Sequence, residues 1–290
     1  MNKKINKKWF LPAFALLLLI SLPFSTMKVA AKNFGSADGF EWQSGPATVF
    51  LEDIASVNVP ENLAFFDEEN TKRFMKENPP PPNGTEIGSL YNMNMQLYWN
   101  VIFEYHNIGH VDDRDKNEIH ANELLESYKQ SPEGQHEKAS AENQSSVLRW
   151  DVEPVYEESK HQLRYSLGLR DPLLQNGIVN YKVNFLTREG YISVILVTPS
   201  YYFEESRKQF EEMVLQNVKV NKSHTYEEFN ASFDKKSEHG LIHLIPGGEG
   251  VATKKEERQT LIKKGVILIV TASVTVFLFI KLRQKLRTQK

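Results

Sequence analysis

IVNYKVNFLTREGYISVILVT, Ile178–Thr198, is the stretch that decides the fold. Two runs rich in β-branched and aromatic residues, Ile178–Leu186 and Tyr191–Thr198, flank Thr187, Arg188, Glu189 and Gly190. Glycine in so short a connection supplies the positive φ that a tight turn needs, so the segment reads as a β-hairpin. In its first arm Val179, Tyr181, Val183 and Phe185 alternate onto one face, the period of a half-buried strand.

Beyond the hairpin, Tyr202–Asn217 reads as an amphipathic helix with Phe203, Phe210, Met213 and Val214 at helical spacing. Leu241–Ile245 reads as a last short strand, and the glycines 247, 248 and 250 with the charged stretch Lys254–Arg258 read as a linker. Before the hairpin, Val147–Val152 and Gln162–Leu169 are two strands joined by Glu153–His161. Ser131–Ser146 has no periodicity and reads as a loop. Ala121–Gln130 reads as a helix with Leu124, Leu125 and Tyr128 inward, behind a loop over Gly109–Asn117. In the strand Gln96–Tyr105, Trp99, Val101, Phe103 and Tyr105 share a face. Four prolines, Pro79–Pro82, with Asn83 and Gly84 form an extended loop. They close a helix predicted over Glu61–Asn78, with Asp67 or Asn70 as its cap. Ala47–Leu51 and Ala55–Val59 are short strands, and Lys32–Gly45 is polar and loose. The class is α+β: a mainly antiparallel sheet with about three helices, and no internal repeat.

The two ends carry a different signal. Trp9–Phe24 is apolar, follows Lys3, Lys4, Lys7 and Lys8, and leads to Val29, Ala30 and Ala31, the pattern of an export signal. The expected signal is 1–31, with the mature chain starting at Lys32 and an uncleaved anchor as the competing reading; with no Cys, a lipoprotein anchor is excluded. Gly265–Ile280 contributes about sixteen uncharged residues, near the lower limit for a membrane span. Its flanking Lys263, Lys264 and Lys281 and the basic tail Arg283–Lys290 orient it under the positive-inside rule. The expected organisation is therefore a flexible segment 32–45, an extracytoplasmic domain 46–248, a linker 249–262, a transmembrane helix 263–282 and a cytoplasmic tail 283–290. The implied location is the cell membrane, single-pass, with the lipid bilayer as one partner.

The 290 residues are 40% hydrophobic and 25% charged, with a formal net charge of −2. That balance offers no electrostatic reason for a nucleic-acid partner, and the absence of Cys removes disulfide and thiol chemistry.

The order of several motifs resembles a family of bacterial membrane-anchored proteins, the domain of unknown function 2167. The matching pieces are Gly109–Asp115; Trp150, Pro154 and Tyr156; Asn180 and Tyr181 before Leu186–Gly190; and Tyr226–Asn230, with Asp234, Lys235, Gly240 and Leu241 beyond. The resemblance covers about Gly45–Gly248. Arg149, Asp151 and Thr187 depart from the family pattern. It implies architecture and anchoring, and no catalytic residue.

Asp112, Asp113, Asp115, Glu118 and Glu123 make the densest carboxylate group, and calcium is the ligand such a group suggests. Neither EF-hand register works: from Asp112 the third and fifth positions are Arg114 and Lys116, and from Asp113 the twelfth is Leu124. The competing reading is that these acids end a strand and favour a helix N-terminus. His106 with His110 and His239 with His243 have the four-residue spacing of zinc ligands but lie off a helix. No Gly-x-Ser-x-Gly occurs, and Ser232–Lys235 matches Ser-x-x-Lys without companion motifs. No cofactor or metal is expected.

Candidate ligand- or partner-binding residues are Trp150, Tyr156, Arg188, Asp112 and Asp115, with Arg188 free to pair with Asp234. The functional expectation is a non-enzymatic module of the bacterial envelope that binds a protein or polymer. The alternative is an envelope-acting, hydrolase-like enzyme using Asp112, Asp115, Tyr156, His161 and Arg188. Convergence of three of these in one cleft would favour the enzyme.

Overall fold

The computed structural model describes residues 33–37, 39–78, 80–93, 99–139, 146–170 and 177–262. In chain order the strands are β1 (Asn33–Ala37), β2 (Phe40–Ser44), β3 (Ala47–Leu51), β4 (Ala55–Val59), β5 (Leu63–Asp67), β6 (Glu86–Asn92) and β7 (Asn100–His106). They continue with β8 (Val147–Glu157), β9 (Gln162–Arg170), β10 (Ile178–Thr187), β11 (Gly190–Pro199) and β12 (Val218–Val220). The helices are α1 (Glu68–Glu77), α2 (Ala121–Gln130), α3 (Pro132–Ala139), α4 (Phe203–Met213) and α5 (248–262). Nine strands form one sheet, in the order β1-β2-β5-β6-β7-β11-β10-β9-β8, and β12-β4-β3 form a second.

The hairpin is where the sequence places it. β10 and β11 pair from Ile178↔Pro199 to Thr187↔Gly190, leaving Arg188 and Glu189 as the turn. Gly190 has φ +152°, and an added Cβ would lie 1.9 Å from the His106 carbonyl oxygen, so the close approach of β7 also demands glycine. Val179, Tyr181, Val183 and Phe185 are all buried in one cluster with Phe103, Phe210 and the inward side chains of β3 and β4. Leu186, the opposite phase of β10, enters a second cluster with Leu124, Leu163, Leu241 and Ile245. The two clusters therefore lie on opposite faces of the large sheet.

Several expectations need correction. The predicted helix Glu61–Asn78 is a strand followed by a helix: β5 pairs with β6, and Asp67 then caps α1 by accepting from Asn70 N at 2.9 Å. Lys32–Gly45 is not loose over its described part, because β1 and β2 pair with each other and β2 pairs with β5. The loop expected over Ser131–Ser146 contains α3, which Ser131 Oγ caps by accepting from Gly134 N. Leu241–Leu244 is a 3-10 turn rather than a strand. The linker after it is α5. Among the described residues five helices thus stand where about three, besides a membrane-spanning one, were expected.

The membrane-spanning helix, with the transmembrane description drawn from it, is a further correction. Among the described residues no helix is long and apolar enough to cross a membrane. Helix α5 carries Lys254, Lys255, Glu256, Glu257 and Arg258 in succession on an exposed surface, and the stretch 263–282 lies outside the described residues, as does the expected signal 1–31.

Candidate functional site

The loop leaving β7 is built against a later segment of chain. Gly109 donates to the Glu189 carbonyl at 2.9 Å, His110 to that of Lys235 at 2.9 Å, and Ser237 to that of His110 at 2.9 Å. Gly109 (φ +93°) lies so close to Lys235 and Lys236 that a Cβ would sit 2.9 Å from their backbone. The chain from Asn221 to Leu244 thereby runs as a strap across the ends of the strands.

Each candidate side chain has a partner in this arrangement. Asp112 accepts from Arg114 Nε at 2.8 Å and from Lys236 Nζ at 2.8 Å. The Arg114 hydrogen bond, with Lys236 behind it, holds the Asp112 carboxyl far below the usual carboxylate range. Asp115 accepts from Leu241 N and Ile242 N, both at 3.1 Å, and so ties down the first N–H groups of the 3-10 turn, Leu241 N being shared with the Asp112 carbonyl at 3.2 Å. Those bonds are what turn Leu241–Leu244 away from a strand. Asp113 faces elsewhere and accepts from Tyr156 Oη at 2.9 Å. Arg188 forks onto Asp234, with Nε and Nη2 at 2.8 and 2.7 Å, as charge alone suggested. Trp150 donates from Nε1 to the Ala121 carbonyl at 2.9 Å and packs edge-on to Tyr165, joining β8 to α2.

Tyr156 sits at the centre of a polar chain. Its hydroxyl is also 3.1 Å from His161 Nδ1, and His161 Nε2 is 3.2 Å from Glu227. Burial, then the Asp113 hydrogen bond, pushes the Tyr156 phenol far above its usual range, so it is a protonated donor and not a nucleophile. Beside it four rings stack in series: His161 on Tyr226 at 4.1 Å, Tyr226 on His110 at 4.3 Å, and His110 on Phe229 at 3.9 Å. The Tyr226 hydroxyl donates to the Val111 carbonyl at 3.0 Å. Burial lowers the pKa of His110, favouring its neutral form.

A cleft of about 420 Å³ opens between the acidic loop and the strap, lined by Asp112, Arg114, Asp115, Glu118, Lys236, His239 and Lys255 among others. Lys255 reaches from α5 to Glu118. Its wall carries both cationic and anionic groups. Of the five residues offered for an enzyme, Asp112 and Asp115 line this cleft, Tyr156 and His161 belong to the hydrogen-bonded chain, and Arg188 belongs to the hairpin clasp. Among the described residues no group of three His, Asp or Glu side chains could hold a metal ion. His106 instead approaches Glu104 at 3.2 Å, and the rings of His239 and His243 face each other at 4.6 Å.

The sequence reading missed Glu86 and Glu104. They are register partners on β6 and β7, and both are buried. Glu86 accepts from Asn83 N at 2.7 Å and Gly84 N at 2.9 Å, while Glu104 takes Asn83 Nδ2 at 3.2 Å. Two facing carboxylates are destabilising unless each has donors, and the turn ending the proline run supplies them. A glutamate at alternate positions of apolar strands was the available signal.

A family model described as a protein of unknown function, DUF2167, matches residues 43–281. The chain belongs to this family. In DUF2167 terms, the four motifs recognised in sequence are the acidic loop, β8, the hairpin turn and the strap, and they meet at one end of the sheet. No curated protein matched the chain. Among solved structures, the solution structure of cyanobacterial PsbP (CyanoP) from Synechocystis sp. PCC 6803 is similar at 13% identity and a TM-score of 0.35. That match covers 64% of this chain and 98% of the other; a likeness at that level carries no argument about this DUF2167 protein.

Proposed function

We propose that this DUF2167 domain is an exported, non-enzymatic module of the cell envelope that binds a polar partner, a protein segment or polymer bearing charges of both signs. One observation carries the reading: the candidate side chains are engaged as fasteners, and the cleft they frame is walled by paired ions. Such partly exposed pairs contribute little to stability, so they can exchange partners with an incoming ammonium or carboxylate at small cost. Only two of the five groups proposed for catalysis share the cleft, and the half-buried phenol of Tyr156 is a poor nucleophile. The lysine-led apolar run Trp9–Phe24 supports the exported setting.

Calorimetric titration of the purified full-length chain with short peptides tests the reading. Peptides carrying both an ammonium and a carboxylate are expected to bind, and the double substitution Asp112→Asn with Lys236→Gln to weaken them by tenfold or more, the scale of one charge-assisted contact at about 1.4 kcal/mol. Equal binding by uncharged peptides, or turnover of an envelope peptide or glycan by the same chain, overturns it.

A further inference from the structure

Where the turns of β3–β4 and β10–β11 close one end of the core, its interior changes from apolar to polar. Tyr105 on β7 and Thr187 on β10 continue the strand faces that carry Phe103 and Phe185 inward. Their hydroxyls are neighbours. Thr187 is 1% exposed, and neither Tyr105 Oη nor Thr187 Oγ1 has a hydrogen-bond partner within the protein. A buried hydroxyl left unpaired is costly, whereas Phe and Val would fill the same space without that cost. Two such hydroxyls side by side therefore call for a partner from outside the chain.

The surrounding charge decides which kind. Glu52 and Asp53 stand on the β3–β4 turn and Glu189 on the β10–β11 turn. Burial first, then Glu189, Glu52 and Asp53, raise the pKa of the Tyr105 phenol to about 12, so all these carboxylates act on the one hydroxyl. Glu52 is itself raised, by burial and then by Glu68 and Asp53. Cationic side chains nearby are committed: Arg188 forks onto Asp234, and Lys72 pairs with Glu68. His224 stands at the mouth, with Nε2 3.9 Å from Asp53 and Nδ1 3.7 Å from Glu189, past hydrogen-bond reach of both. The Asp53 and Glu189 side chains are 86% and 40% exposed, so this mouth faces solvent.

We propose that the pocket end formed by Tyr105, Thr187 and Glu189 binds a primary ammonium group, the head of a small amine or of a lysine side chain. An alkylammonium has three N–H donors and one positive charge. Tyr105 Oη and Thr187 Oγ1 each accept one donor, Glu189 accepts the third and balances the charge, and Glu52 with Asp53 adds attraction from the rim. A quaternary ammonium has the charge without the donors, and an alcohol has a donor without the charge. None of these residues lines the cleft, so the proposal stands whether or not the cleft binds a ligand.

Thermal unfolding of the full-length chain in n-butylammonium chloride, against tetramethylammonium chloride at equal concentration, tests it. A saturating rise in midpoint is expected with the first salt and not with the second. Thr187→Val and Tyr105→Phe each remove a hydroxyl that the fold leaves unpaired, so the midpoint without amine should hold or rise. In both variants the butylammonium concentration giving half the rise should increase about tenfold, the scale of one hydrogen bond to a charged group. Glu189→Gln, at a partly exposed position, should weaken binding similarly by removing charge. A tripeptide with a central lysine and blocked ends separates the two sources: a rise with it identifies a lysine side chain as a fitting ligand, and a rise with butylammonium alone identifies a free amine. Equal midpoints in the two salts overturn the proposal. So does an unchanged half-saturation in Thr187→Val and Tyr105→Phe, which would leave the hydroxyls with a structural role only.

Discussion

On one face of the large sheet Tyr181, Phe103 and Phe210 are sealed among apolar neighbours; at the loop after β7 and the turns of β8–β9 and β10–β11 the strap is attached through Asp115, Val111, His161 and Arg188. The first region is stabilised by area removed from water, which is non-directional and insensitive to pH. The second depends on donors meeting acceptors at fixed geometry, so its stability is modest, local and titratable. The difference places rigidity in the sheet and adjustability at its end, where the cleft lies.

The contrast is sharpest for Phe210→Ala, which should cost about 3–5 kcal/mol through lost burial and a cavity, read as a lowered urea midpoint for the whole domain. Asp115→Ala should cost about 1–3 kcal/mol, because it leaves Ile242 N of the 3-10 turn without an acceptor while Leu241 N keeps only the Asp112 carbonyl. A cost for Asp115→Ala equal to that of Phe210→Ala would break the distinction between the regions. Arg188→Lys keeps the charge and loses the fork onto Asp234, so exchange should rise in the strap with little change in the global midpoint. The Asp234 carboxyl lies below its usual range because of Arg188 and the Asn230 N–H. The stability it contributes is therefore full above about pH 4 and is lost as pH falls below that. For His110 the lowered pKa means the unfolded chain takes up a proton first, so its contribution is full above about pH 6.5 and declines on acidification. His110→Phe should flatten that decline in a chemical-denaturation series. Arg114→Ala, at an exposed position, should leave the midpoint unchanged; a measurable shift would show that the loop, and not only the strap, sets local stability.

Strand and helix periodicities were legible wherever one face is buried and the other wet. The hairpin, the face Val179–Phe185 and α2 with its stated limits Ala121–Gln130 all follow from alternation or helical spacing. Glu61–Asn78 misled because β5 is buried for three residues in succession, Leu63, Ala64 and Phe65, and such a run has no period. Leu241–Leu244 misled because apolar residues alone do not separate a strand from a turn, and the deciding partner, Asp115, is more than a hundred residues away in the chain. Among the site residues, the carboxylates were visible as a cluster, but their directions were not. Asp112, Asp113 and Asp115 are neighbours in sequence and serve three different partners.

Local order thus determined which segments are strands or helices, the hairpin turn and the family motifs, since these depend on φ preferences and on a period read over a few residues. Tertiary structure alone decided that the motifs converge and that their charges are used as fasteners. Hydrogen bonds and ion pairs act over about 3 Å of space, and nothing in the spacing of residues along a chain encodes which distant groups will come that close.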